Sequence, residues 1–254
     1  MSTQPAGMLS RGRRDAMVLL LAWAAGSVDA IGFFGLGHVF TANMTGNTVL
    51  LGLSLGQGRG LAAIANLIAV AGFTLGVASG AAIVERDSAK GEWDRPVTAA
   101  LFLEALMLAA FTACWHLTPG GSERTSAALY ALIAFSALAM GIQSAAVRRL
   151  NLPGVATTYV TGTMTSLIAG LTRRAHAARP AAQAESAAPS KPSGSLAFLQ
   201  ASVIVIYGLA ALASGFFQSR VPGLVAITPL LAISFVLIVV GIAHRRHEAV
   251  VREE

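Results

Sequence analysis

Two short stretches hold most of the side chains able to do chemistry in a chain otherwise dominated by aliphatic residues. Residues 39–56 read VFTANMTGNTVLLGLSLG and residues 155–171 read VATTYVTGTMTSLIAGL. The first offers Thr41, Asn43, Thr45, Asn47 and Thr48; the second offers Thr157, Thr158, Thr161, Thr163 and Thr165. Each has a Thr-Gly pair, at Gly46 and at Gly162. Stiff β-branched side chains and glycine disfavour helix, so each stretch is expected to be extended backbone opening into a half-helix. A half-helix that begins near either Thr-Gly pair presents free N–H groups and a positive dipole end. Hydroxyls and amides from both stretches would then ring a polar cavity suited to an anion or an electron-rich neutral solute. The competing account is that these hydroxyls only hydrogen-bond helices together.

Two acids stand apart from these stretches. Asp29 lies inside the first apolar run, and Glu104 lies within LFLEALML. An ionisable group at such depth is costly to keep and marks a functional site by default. Asp29 would serve as a proton-coupling carboxylate, a cation ligand or the partner of an arginine; for both acids the plainer alternative is a structural role. The position matching Asp29 in the second half of the chain is Ser144, beside Gln143, so the halves differ in charge there.

The elements that must hold these residues are long and apolar. Of 254 residues, 55% are hydrophobic and 12% charged, about half the usual charged fraction of a soluble domain. Mean hydropathy is +0.66. Six segments qualify as membrane-spanning helices: 16–37, 61–84, 96–117, 125–147, 196–217 and 224–243. Their runs are apolar all round, which argues against an amphipathic soluble bundle. The expected partner is therefore the lipid bilayer. Net charge is +6, but the basic residues cluster at the ends of apolar runs, where orientation signals sit, and no nucleic-acid partner is expected. The single cysteine, Cys114, excludes a disulfide framework. No cofactor or metal signature and no catalytic motif is legible, so the chain is not read as an enzyme.

Val39, Thr41, Thr45 and Gly46 recur as Val155, Thr157, Thr161 and Gly162 at an offset of 116. The repeat unit is a long helix, a short polar segment and two more long helices. It divides the chain into a tail at 1–15, a first repeat at 16–117, a second at 125–243 and a tail at 244–254. A flexible polar linker at 173–195 interrupts the second repeat. If both short segments are re-entrant, 15 of the 18 Lys and Arg fall on one side and only Arg59, Arg124 and Arg220 on the other. The positive-inside rule prefers that arrangement, with both termini cytoplasmic, to full crossing of all eight segments. Three spans per repeat then invert one half relative to the other, a recurring transporter and channel design.

The runs GSVDAIGFFGLGHVFTANMTGNTVLLG and MGIQSAAVRRLNLPGVATTYVTGTMTSL resemble the YoaK-like family of bacterial inner-membrane proteins. The likeness extends from Arg14 to Ala243. It implies an inner-membrane location and about six transmembrane segments, and it brings no substrate and no catalytic residue. Taken together, the chain is expected to be an all-α polytopic membrane protein that passes an unknown small solute or ion, proton-linked through Asp29. The alternatives are an intramembrane enzyme or lipid-handling protein, and a non-transporting membrane partner or sensor.

Overall fold

A computed structural model describes residues 9–85, 93–118, 124–177 and 194–253. Those residues form helices and connecting turns, with no strand among them. The long helices are α1 (Arg11–Gly35), α3 (Gly60–Val84), α4 (Arg95–Leu117), α5 (Ser126–Arg149), α7 (Gly194–Arg220) and α9 (Ile227–Glu253). Between them lie α2 (Met44–Gly56), α6 (Val160–Ala177) and the single turn α8 (Pro222–Val225). Six helices, counting α8 and α9 as one, are long and apolar enough to cross a bilayer. The expected spans are therefore present, within a few residues on most boundaries.

Local chemistry sets several of the starts. Asp94 accepts the amide of Val97 ahead of Pro96 in the first turn of α4, Thr125 accepts that of Ala128, and Asn43 accepts that of Gly46 at the start of α2. Each satisfies one orphaned N–H of a first turn. The expected tails and linker are shorter than their composition suggested. Helix α1 begins at Arg11, and α9 continues through the tail to Glu253. Residues 173–177 still belong to α6; of the linker, 178–193 lie outside the described residues. Polar composition marks where a helix leaves lipid, but a helix does not stop at that boundary when nothing breaks it.

The two most buried helices, α1 and α5, form the interior. Helix α3 packs on α5, α7 on α1, and α4 and α9 close the bundle against α5 and α1. Helix α2 lies on α3, and α6 lies on α7. The α3–α5 contact is close because Gly72, Gly76 and Gly80 form a stripe against Ala137, Leu138, Gly141, Ile142 and Ala145. A methyl group at Gly76 would run into the Leu138 carbonyl, and one at Gly141 into that of Phe73. Small residues at such spacing let helix backbones meet directly.

These contacts also fix direction. Residue numbers rise together along α3 and α5, so the two helices are parallel. Helices α1 and α7 are parallel as well: Arg11 donates to Ser195 at one end, and Tyr207 meets Asp29 and Gly26 further along. Arg149 pairs with Asp94 at 3.6 Å, Arg95 bonds Glu248, and Leu9 and Arg13 line a crevice with Ala243 and Arg246. The start of α1, the start of α4, the end of α5 and the end of α9 thus share one arginine-rich end. At the far end Arg124 donates to the Gly35 carbonyl at 3.1 Å, and Thr112 to that of Ala226 at 2.9 Å. It follows that the chain from α1 to α3 leaves and rejoins the bundle at the far end. The chain from α5 to α7 starts and finishes at the arginine-rich end.

Candidate functional site

After Gly35 the chain doubles back. Gly37 and His38 both take positive φ, 78° and 63°, a conformation free to glycine and unusual for histidine. Residues 39–43 then run back along α1 without helical hydrogen bonds, so their backbone must find other partners. Asp29 supplies them. Its Oδ1 accepts the amides of Thr41 at 2.7 Å and Ala42 at 2.6 Å, and its Oδ2 accepts the Tyr207 hydroxyl of α7 at 2.5 Å. Asp29 is 4% exposed, and it sits six residues before the end of α1, roughly 9 Å along the helix axis. One carboxyl therefore joins α1, the returning segment and α7. The Asn47 side chain completes the fold-back: its Oδ1 accepts from the Phe40 amide at 2.9 Å, and its Nδ2 donates to the Phe40 carbonyl at 2.5 Å. Beside this, the Phe33 ring meets the His38 ring edge to face, with centroids 4.8 Å apart, and stacks on the Phe40 ring at 5.5 Å.

The second segment repeats the plan with neutral groups. Asn151 and Gly154 turn it with φ of 50° and 64°. Thr163 Oγ1 accepts the Ala156 amide at 3.0 Å and donates to the Ala156 carbonyl at 3.2 Å. This is the same reciprocal pairing that joins Asn47 to Phe40, at the same seven-residue spacing. Gln143 Nε2 donates to Leu21 O at 3.0 Å and to Thr157 Oγ1 at 2.8 Å, tying α5 to α1 and to the segment. Ser144 and Thr158 share a hydroxyl hydrogen bond at 3.1 Å. Gln200 of α7 donates to the carbonyls of Pro153 and Gly154. Beside this segment a cavity of about 480 Å³ opens, bordered by Ser144, Arg148, Asn151, Thr157, Thr158 and Tyr159.

The structure brings the expected residues together in two separate groups rather than one. Asp29, Thr41, Asn43, Gly46 and Asn47 assemble at the far-end fold-back, while Gln143, Thr157, Thr158 and Thr163 assemble at the other. Helix α2 packs on α3 and α6 on α7, so the half-helices lie on different flanks instead of confronting each other. They begin at Met44 and Val160, one residue ahead of the Thr-Gly pairs. Thr45, Thr48, Thr161 and Thr165 are exposed. The hydroxyls of Thr48 and Thr165 donate to carbonyls one turn back in their own helices, a bond that helical geometry offers any threonine. Gly46 and Gly162 pack against the rings of Phe40 and Tyr159. Glu104 is fully buried on α4, and among the described residues neither oxygen has a hydrogen-bond partner.

Sequence reasoning missed Tyr207, the aromatic stack and the paired role of Arg149. Tyr207 is an isolated hydroxyl in the apolar run VIVIYGLAAL, which was its available signal. Arg149, at the end of an apolar run, is buried and paired with Asp94. At the far end Arg124 lies over the Trp115 ring at 4.5 Å, and burial pushes its guanidinium below its ordinary value. No group of three His, Cys, Asp or Glu able to hold a metal occurs among the described residues.

The model of the family described as "Protein of unknown function (DUF1275)" matches residues 17–241. The chain is similar to the UPF0700 transmembrane protein YoaK of Bacillus subtilis. The two are 38% identical over 167 residues, which cover 66% of this chain and 71% of that protein. No solved structure matches the chain.

Proposed function

We propose, taking as premise that the chain is an integral membrane protein belonging to the DUF1275 family, that it passes a small solute or ion across the bacterial inner membrane. The observation that carries this reading is the pair of non-helical segments entering the bundle from its two ends, each bonded into a central helix. Non-helical backbone at membrane depth persists where it lines protein or a water-filled path. The halves are read as an inverted repeat, with the arginine-rich end and both termini cytoplasmic. On this reading the cavity beside 151–159 is open towards the cytoplasm. The opposite mouth is shut by the aromatic stack and the Asp29 knot. Transport requires that knot to open and the other segment to close.

Proton linkage belongs to Asp29. A proton on Oδ2 would reverse the polarity of its bond to Tyr207, among the described residues the one titratable side chain bonded to it, and so loosen the attachment of α7 to the segment. The experiment is solute uptake by proteoliposomes under an imposed pH gradient. Wild type should accumulate a solute from a radiolabelled panel in a gradient-dependent manner, and Asp29→Asn should lose that dependence while remaining folded. Gradient-dependent uptake that survives unchanged in Asp29→Asn removes Asp29 from the mechanism.

A further inference from the structure

We propose that the crevice between the last turn of α5 and residues 151–159 binds a small anion bearing a carboxylate or phosphate group, with Arg148 as its counter-charge. The argument comes from setting the two fold-backs side by side. In the first, the amides of Thr41 and Ala42 point at a carboxylate that the chain provides itself, Asp29. The corresponding amides in the second belong to Thr157 and Thr158, and Ser144 stands where Asp29 would be. Among the described residues neither amide has an acceptor. Thr157 and Thr158 are each 1% exposed, amides without acceptors are rare in buried backbone, and both residues border an open cavity.

The surroundings differ in the direction an anion requires. At an offset of 115 from Phe33, whose ring stacks on Phe40 at the first fold-back, stands Arg148. Arg148 borders the cavity, has no ion-pair partner among the described residues, and shares that border with no acidic residue. Ser144 and Thr158 use one hydroxyl proton between them and keep a second for a ligand. Residues carrying two amides, a hydroxyl and a guanidinium therefore border one crevice in the half that lacks the carboxylate, and a guanidinium pairs well with a carboxylate or phosphate. About 480 Å³ admits an anion of several carbon atoms or a phosphate-bearing headgroup. Service as the cargo site rests on the transport reading above; binding itself does not.

The test is calorimetric titration of the full-length protein, in nanodiscs of phosphatidylcholine alone, with sodium acetate and with inorganic phosphate. Wild type should bind at least one of them saturably. Arg148→Gln should weaken binding tenfold or more, and Arg245→Gln, at the same end but away from the crevice, should not. Ser144→Asp is the decisive variant: it places the chain's own carboxylate in the crevice, so binding should vanish while the melting temperature is held or raised. No saturable binding by wild type, or wild-type affinity in Ser144→Asp, overturns the proposal. Repeating the titration in discs containing phosphatidylglycerol separates the sources. Competition assigns the site to a lipid headgroup, and unchanged affinity assigns it to a soluble anion. Binding without flux in vesicles would leave the site standing and remove transport; flux without anion binding would do the reverse.

Discussion

At the residue scale, much of the polar chemistry in this molecule serves to satisfy backbone that has left the helix. Asn47 and Thr163 show the logic most clearly, because each returns both an acceptor and a donor to the backbone of one residue. Removing either leaves that amide and carbonyl without the bonds the side chain supplied. Asn47→Leu and Thr163→Val should therefore each cost about 2–4 kcal/mol, read as a lowered melting temperature in detergent. A change of less than 0.5 kcal/mol would show that water reaches these groups. Glu104 predicts the opposite sign. With no partner for either oxygen, Glu104→Leu should raise the melting temperature, and in an uptake assay it should lower flux if the acid is retained for function. A lower melting temperature would instead reveal a hidden partner. The threonines and asparagines of these segments were legible in the sequence as special. Their partners were not, since a hydrogen bond between Asp29 and Tyr207 spans 178 residues and leaves no local pattern.

At the element scale, the long helices were readable because an uninterrupted apolar run of about 20 residues has few other fates. The half-helices were readable for a complementary reason: the β-branched Val39, Thr41, Val155, Thr157 and Thr158 oppose helix, and α2 and α6 begin only at Met44 and Val160. The pairing of helices was hidden. Gly72, Gly76 and Gly80 advertise a close approach, but a glycine stripe does not name its partner, and α5 meets it with Gly141 and alanines. Gly141→Leu should overpack this contact and cost about 1–3 kcal/mol, measured by thermal unfolding. Gly208→Leu, where an added Cβ meets nothing within 4 Å, should cost little. Equal losses at both positions would contradict the α3–α5 contact.

At the scale of the whole molecule, the direction of the helices sorts the arginines between two ends. Arg59, Arg124 and Arg220 belong to the far end, which the parallel α3–α5 and α1–α7 pairs place opposite Arg13, Arg95, Arg149 and Arg246. In a Cys114→Ala background, Arg59→Cys should react with an impermeant maleimide added outside intact cells. Arg148→Cys should react only after the membrane is opened. Labelling of both from outside would mean that one of the short segments crosses completely.

The parallel seating of α1 against α7 has a bearing on how the chain is made. During synthesis α1 emerges first, yet the hydroxyl that completes the Asp29 knot follows 178 residues later. At ribosomal speeds of about 5–20 residues per second this amounts to roughly 10–35 s. Through that interval the nascent protein holds a carboxyl short of one of its bonds and an α1 surface without its neighbour.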